Sequence, residues 1–239
     1  MKTFTCKLFL MVMGWCLFSA CQQDGLETMK EAALKQLPPP AKYLALGDAY
    51  TLGEGIPTSE RWPMQLSSLL DGAKLTVGEP LVLAEKDWTS GDLLKYLRSV
   101  NIPNDYGLVS LMIGANNHQQ GRSKDEFRTE FRSLVNISVQ LAQKNSKNVV
   151  VLTIPNWGVT PYASGKDQAK ITAEIQQFNQ IIQEEATRVG VQVIDVNDLS
   201  LQVVKTPALL AADNLHYSGS MYAQWAQRVL PAATAILSE

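Results

Sequence analysis

Beyond residue 21 the sequence has no cysteine, since Cys6, Cys16 and Cys21 are all that it contains. The rest of the chain therefore has no thiol for a disulfide, a thiolate metal site or a Cys nucleophile, and its stability has to come from packing. It also lacks an excess of either charge. The 21 Lys and Arg against 23 Asp and Glu leave a formal net charge of -2, which offers no basic field and no electrostatic basis for a nucleic-acid partner. Histidine is scarce, with only His118 and His216. There is no internal repeat or low-complexity tract, and no metal or other cofactor is expected. After the N-terminal segment is set aside, about 200 residues remain, which suits one α/β domain.

The N-terminus reads as a targeting segment. Lys2 and Lys7 precede an apolar run, Leu8 to Phe18, and small residues Ser19-Ala20 lead to Cys21, the layout of a secretory signal. The run is short for a membrane span. Phe18-Ser19-Ala20-Cys21 also resembles the bacterial lipobox, which implies cleavage before Cys21 and acylation there; two or more acyl chains anchor stably. The alternative is an ordinary signal peptide followed by an incidental cysteine. Residues 1–20 are thus expected to be a signal peptide and 21–41 a lipidated tether, with the protein held to a membrane of the cell envelope. Gln22 in place of Asp favours the outer membrane by analogy with bacterial sorting. The tether has a helix-prone piece from Leu26 to Leu37 and then Pro38-Pro39-Pro40, which is stiff and cannot continue a helix.

Residues 42–239 alternate between strand and helix patterns. Tyr43-Leu44-Ala45-Leu46 is a buried-strand run that ends at Gly47-Asp48. Thr51 to Glu60 reads as a Gly-bearing loop, and Arg61-Trp62-Pro63 opens a helix. Leu75 to Ala84 is a second strand region broken by Gly78 and Pro80, and Ser90 is a candidate N-cap for the next helix. Leu108 to Ile113 is a strand that delivers Gly114-Ala115-Asn116-Asn117. Ser123 caps a long amphipathic helix with Asp125 and Glu126 in its first turn. Asn148 to Ile154 is the clearest buried strand, followed by a loop with exposed-looking Trp157 and Tyr162. A helix from Ala169 to Val189 closes at Gly190, Val191 to Val196 is the last strand, and Ser218 begins a final helix with a possible interruption at Pro231. This order predicts a three-layer α/β/α sandwich around a five-stranded, flavodoxin-like parallel sheet. Ligands bind at the C-terminal strand ends of such sheets.

Three short stretches carry the chemistry: Gly47-Asp48-Ala49, Gly114-Ala115-Asn116-Asn117 and Asp213-Asn214-Leu215-His216. In this order they resemble blocks one, three and five of the SGNH (GDSL) hydrolases. WPMQL, DWTSGDLL, MIGANN, NWGVTPYA and DNLHYSGSMYAQWA extend the resemblance to one bacterial branch, over roughly residues 42 to 230. The resemblance implies a Ser–His–Asp esterase in which the serine attacks an ester carbonyl, His216 accepts its proton and Asp213 orients His216. The oxyanion hole would comprise the nucleophile's own N–H, a block-two glycine N–H and the Asn116 side chain.

Two positions depart from that pattern. Ala49 stands where the serine belongs, and aligning on Trp88-Thr89 places Asp87 where the block-two glycine belongs; Gly91 lies four residues on and is not its replacement. An aspartate there keeps a backbone N–H but brings negative charge toward a developing oxyanion. Loss of a triad serine lowers turnover by about 10⁶-fold, and loss of one oxyanion donor by about 10²-fold or more, without strict additivity. Three readings follow. One is a catalytically impaired lipoprotein that binds an ester, an acylated carbohydrate or a protein partner at the old cleft. Another is a working esterase in which His216 activates a water in the space left by the serine Oγ. The last is a deliberate Ser-to-Ala form of an active serine esterase.

Among the remaining residues, His118 is expected to be a solvated loop histidine rather than part of the cleft. Thr51 is the hydroxyl nearest the missing nucleophile but need not aim at the same point. Trp157 and Tyr162 either border a sugar or acyl site or pack against the sheet edge. Asn136-Ile137-Ser138 matches a glycosylation triplet, yet lies in an expected helix and is taken as chance.

Overall fold

Tyr43–Gly47 forms β1, every residue of it buried, in a computed structural model that describes residues 39–238. The signal segment, Cys21 and the tether up to Pro38 lie outside the described residues. β3 (Leu108–Met112) and β4 (Val149–Leu152) are likewise buried throughout. Such strands carry unbroken apolar runs because helices cover both faces of the sheet. β2 (Leu81–Ala84) and β5 (Gln192–Ile194) form the edges and are partly exposed. All five strands are parallel, in the order β2-β1-β3-β4-β5. This is the flavodoxin-like order, in which the chain reverses direction across the sheet between β1 and β3. The ends of those two strands lie side by side, Gly47 opposite Met112.

The helices are α1 (Ala49–Leu52), α2 (Trp62–Gly72), α3 (Ser90–Ser99), α4 (Ala115–Gln119), α5 (Lys124–Leu141), α6 (Gln168–Thr187), α7 (Asn197–Ser200) and α8 (Gly219–Leu237). α2 packs on α8, while α3, α5 and α6 pack on one another in succession, so the sheet is sandwiched between two helical layers. The expected three-layer α/β architecture is present.

Several local expectations are corrected. The region from Leu75 to Ala84 forms a ladder only over β2; before it, Val77 makes a single bridge to Ala41, because Pro80 has no N–H to continue pairing. Thr89, not Ser90, caps α3: its Oγ1 accepts from the Asp92 N–H and the Asp92 carboxylate accepts from the Thr89 N–H. That is a reciprocal capping box. α6 ends at Thr187, two residues before Val189, although Gly190 does take the left-handed conformation with φ 75°. The last strand is confined to Gln192–Ile194. Pro231 does not interrupt α8. The buried face of that helix, Tyr222, Trp225, Ala226, Val229 and Ala233, continues on both sides of the proline, and the packing outweighs the one lost backbone bond. Among the described residues no helix is long and apolar enough to cross a membrane.

Candidate functional site

The site begins where β1 stops. Asp48 is the N-cap of α1, its Oδ1 accepting from the Tyr50 N–H at 3.1 Å, so Ala49 is the first residue of a helical turn rather than part of a loop. The close turn requires Gly47, since a Cβ there would lie 2.2 Å from Thr51 Oγ1 and 2.6 Å from the Met112 carbonyl oxygen. Ala49 is buried and presents only a methyl group. Thr51, the neighbouring hydroxyl, is fully buried at the base of the turn against Gly47.

β3 delivers the next group. Gly114 takes φ 130°, and a Cβ on it would meet the Phe127 ring at 2.8 Å, so only glycine fits between the strand end and α5. α4 follows immediately, and two of its side chains together with that of its C-cap, Gln120, reach one segment. Asn116 donates through Nδ2 to the Trp88 carbonyl at 3.0 Å. Asn117, almost fully buried, accepts from the Ser90 N–H at 2.8 Å and donates to Ser90 Oγ at 2.7 Å. Ser90 Oγ in turn donates to Glu130 Oε2 at 2.5 Å. Further along, Gln120 donates through Nε2 to the Asp87 carbonyl at 3.2 Å. Thus α4 and its C-cap grip the 87–90 segment at three points, and of the three residues responsible only Asn116 was expected to act in the site. For Asn117 the one signal was its place beside Asn116, and for Gln120 there was none.

Asp87 adopts φ 63°. Left-handed backbone is natural for glycine and, among other residues, most accessible to Asn and Asp. Asp87 is solvent-exposed, so its carboxylate stays hydrated and screened.

The third group comes from the segment before α8. Asp213 Oδ2 lies 2.6 Å from His216 Nδ1, and Oδ1 accepts from the backbone N–H groups of Leu215 at 3.0 Å and His216 at 2.9 Å. Burial pushes the Asp213 carboxyl up, but these hydrogen bonds outweigh it and hold the group below the usual carboxylate range. An ionised Asp213 holds Nδ1 as the N–H tautomer, which leaves the Nε2 lone pair as the basic site. The Tyr50 ring stacks obliquely on His216, centroids 5.0 Å apart, and both rings join a buried cluster with Tyr217, Tyr222 and Trp225. The structure therefore gathers Ala49, Asn116, Asp213 and His216 at the β1 and β3 end of the sheet, with Asp87 joined through Gln120.

The loop after β4 is not as expected. Trp157 is buried, only 4% exposed, whereas Tyr162 is 46% exposed. His118 is no solvated loop histidine. It lies in α4, its side chain 7% exposed, with Nδ1 3.1 Å from Trp157 Nε1 and Nε2 2.9 Å from Glu174 Oε2. The Tyr162 N–H donates to the Asn214 carbonyl at 3.2 Å, so this loop also touches the segment bearing Asp213 and His216. Asn136-Ile137-Ser138 lies in mid-helix in α5, with Ser138 buried and bonded to the Leu134 carbonyl. Among the described residues no group of His, Cys, Asp or Glu is arranged to hold a metal ion.

Comparison with known proteins places the fold and the family. The model of the GDSL-like lipase/acylhydrolase family matches residues 45–224. Among solved structures, a single-site variant of Axe2, an acetyl xylan esterase from Geobacillus stearothermophilus, aligns with TM-score 0.64 at 20% identity, covering 81% of this chain and 94% of its own. TesA aligns with TM-score 0.64 at 17% identity, covering 82% and 99%. A lipase/acylhydrolase from Enterococcus faecalis aligns with TM-score 0.62 at 20% identity, covering 81% and 96%. No curated protein matches the sequence significantly. With the family model spanning most of the chain and the fold shared over a similar length, the chain belongs to the GDSL-like lipase/acylhydrolase family.

Proposed function

We propose that this chain is an envelope lipoprotein, anchored through Cys21 and most suited to the outer membrane, whose esterase cleft binds an ester, an acylated carbohydrate or a protein partner without turning it over efficiently. One observation carries the reading. Asp213 and His216 hold an acid–base pair at 2.6 Å beside the β1 end, yet the residue on that turn is an alanine. A base without a nucleophile can still donate, accept and orient, and Asn116 retains a second amide hydrogen beyond the one given to Trp88. Asp87 in the oxyanion segment adds to the impairment, although its exposure limits the electrostatic part.

The test is hydrolysis of p-nitrophenyl acetate by the protein, its Ala49→Ser variant and the Ala49→Ser, Asp87→Gly double variant. Under the binding reading the unaltered protein stays at the buffer rate and turnover returns only in the double variant. Recovery by Ala49→Ser alone would instead identify an active esterase that has lost one atom. Turnover by the unaltered protein that vanishes in His216→Ala would establish water activation and overturn the impairment.

A further inference from the structure

His118 is the histidine that the acid–base pair leaves over, and its surroundings define its chemistry. An indole N–H can only donate, so Nδ1, 3.1 Å from Trp157 Nε1, has to be the unprotonated nitrogen. The ring proton then sits on Nε2 and is donated to the Glu174 carboxylate at 2.9 Å. A ring protonated on both nitrogens would set N–H against N–H at Trp157. Phe178 closes the ring edge-on with centroids 5.7 Å apart.

The two sides of this clamp belong to different parts of the cleft. His118 is two residues from Asn116 on α4, whereas Trp157 starts the 157–163 loop, whose Tyr162 N–H reaches the Asn214 carbonyl next to Asp213. Trp157 and Tyr162 also contact each other, centroids 6.1 Å apart. The loop thus straps the Asn116 side of the cleft to the Asp213 and His216 side, and the His118–Trp157 bond is its attachment to α4.

We infer that His118 is a positioning residue: as the Nε2–H tautomer it fastens the 157–163 loop to α4 and thereby sets where the Asn116 amide stands relative to Asp213 and His216. This goes beyond the functional reading above and holds whether or not the protein turns over an ester. The charged groups facing the ring are Glu174 from α6, with Lys170 3.9 Å from that carboxylate, and Arg122, Lys124 and Asp125 across a cavity of about 400 Å³ at the start of α5. From the loop side, Lys166 lies over the Trp157 ring at 5.6 Å.

The test uses the full-length chain, ¹⁵N-labelled, in detergent micelles, with the Trp157 indole assigned through Trp157→Phe. Three signals are read: the tautomer of His118 from long-range ¹⁵N–¹H couplings, water exchange of the Trp157 indole N–H, and the Asn116 side-chain amide. The expected result at pH 8 is a single Nε2–H tautomer with a slowly exchanging indole. His118→Phe should speed that exchange roughly tenfold, the worth of one hydrogen bond, and shift the Asn116 amide. His118→Asn, which keeps an acceptor near the Nδ1 position, should restore both. An Nδ1–H tautomer, or an indole whose exchange is unchanged in His118→Phe, would overturn the clamp. An Asn116 amide that is unchanged in His118→Phe would overturn the positioning. None of these signals depends on turnover, so they stand apart from the p-nitrophenyl acetate result.

Discussion

Asp48 is a fully buried carboxyl whose Oδ1 accepts from the Tyr50 N–H at 3.1 Å, with the backbone N–H groups of Gly114 and of Asp48 itself also acting on it. Burial pushes it up to about 7, against the opposing pull of the backbone N–H groups around it. Since the unfolded value is about 3.9, the folded state holds its proton more tightly. The associated stability is intact below about pH 4 and is lost as pH rises through 7. Asp48→Asn keeps an acceptor for the Tyr50 N–H and removes the charge. It should match the parent at pH 4 and exceed it by about 1–3 kcal/mol at pH 8 in denaturant melts at the two pH values; a variant less stable at pH 8 would show that the carboxylate is welcome there. The same turn shows what a residue can and cannot announce. Gly47 and Asp48 stand out in sequence because a strand run stops at them, whereas the burial of Thr51 against Gly47 follows only from the path of the chain.

Helices α5 and α6 meet around Glu185, nearly buried and bonded to Arg132, Arg128 and Arg188. The hydrogen bonds from Arg132, then Arg128 and Arg188, overcome burial and hold its carboxyl at about 2. Here the folded value lies below the unfolded one, so the contribution is present above about pH 4.3 and is lost as pH falls toward 2. Glu185→Gln should therefore cost about 2–3 kcal/mol at pH 7, with the gap to the parent narrowing between pH 5 and 2 in urea titrations. A gap independent of pH would mean that packing, not charge, is what the glutamate supplies. At the other joint, Asn117 ties α4 to the first residue of α3 through two hydrogen bonds. Asn117→Ala leaves the buried Ser90 N–H and Oγ short of partners and should cost about 2–4 kcal/mol, read by thermal melts, and should also raise hydrogen exchange at residues 87–90. None of these joints was legible beforehand. Glu185 and Arg132 lie 53 residues apart on two helices, and Asn117 and Ser90 lie 27 apart, so only the packing of helices on a common sheet brings them together.

Across the molecule, the layer of α2 and α8 closes the sheet behind the candidate site, and its centre is aromatic. Trp62, Tyr217, Tyr222 and Trp225 are fully buried, with Trp225 within 5.3 Å of Tyr217 and 5.2 Å of Tyr222, centroid to centroid. Trp225→Ala should cost about 3–5 kcal/mol. Trp225→Phe should cost much less, because the indole Nε1 has no protein acceptor to lose. Denaturant unfolding followed by far-UV circular dichroism would separate the two; equal losses would place a buried water or other partner on Nε1. A cluster of this kind also explains why α8 tolerates Pro231: the helix is held by its buried face rather than by an unbroken ladder.

The sequence by itself determined the strand and helix order and the parallel α/β class, because those depend on local apolar periodicity and on glycine at strand ends, whereas the three short stretches of the candidate site stood out through their resemblance to the SGNH hydrolases. The same resemblance singled out Asp213 and His216, and their spacing of three residues in one loop lets the two side chains meet. What only the tertiary structure decided was everything joined between distant segments: the grip of Asn117 and Gln120 on the 87–90 segment, the burial of Trp157, and the clamp on His118. Those contacts span tens of residues, and their geometry is set by the order β2-β1-β3-β4-β5, which brings the ends of β1 and β3 side by side and α4 against the loop after β4.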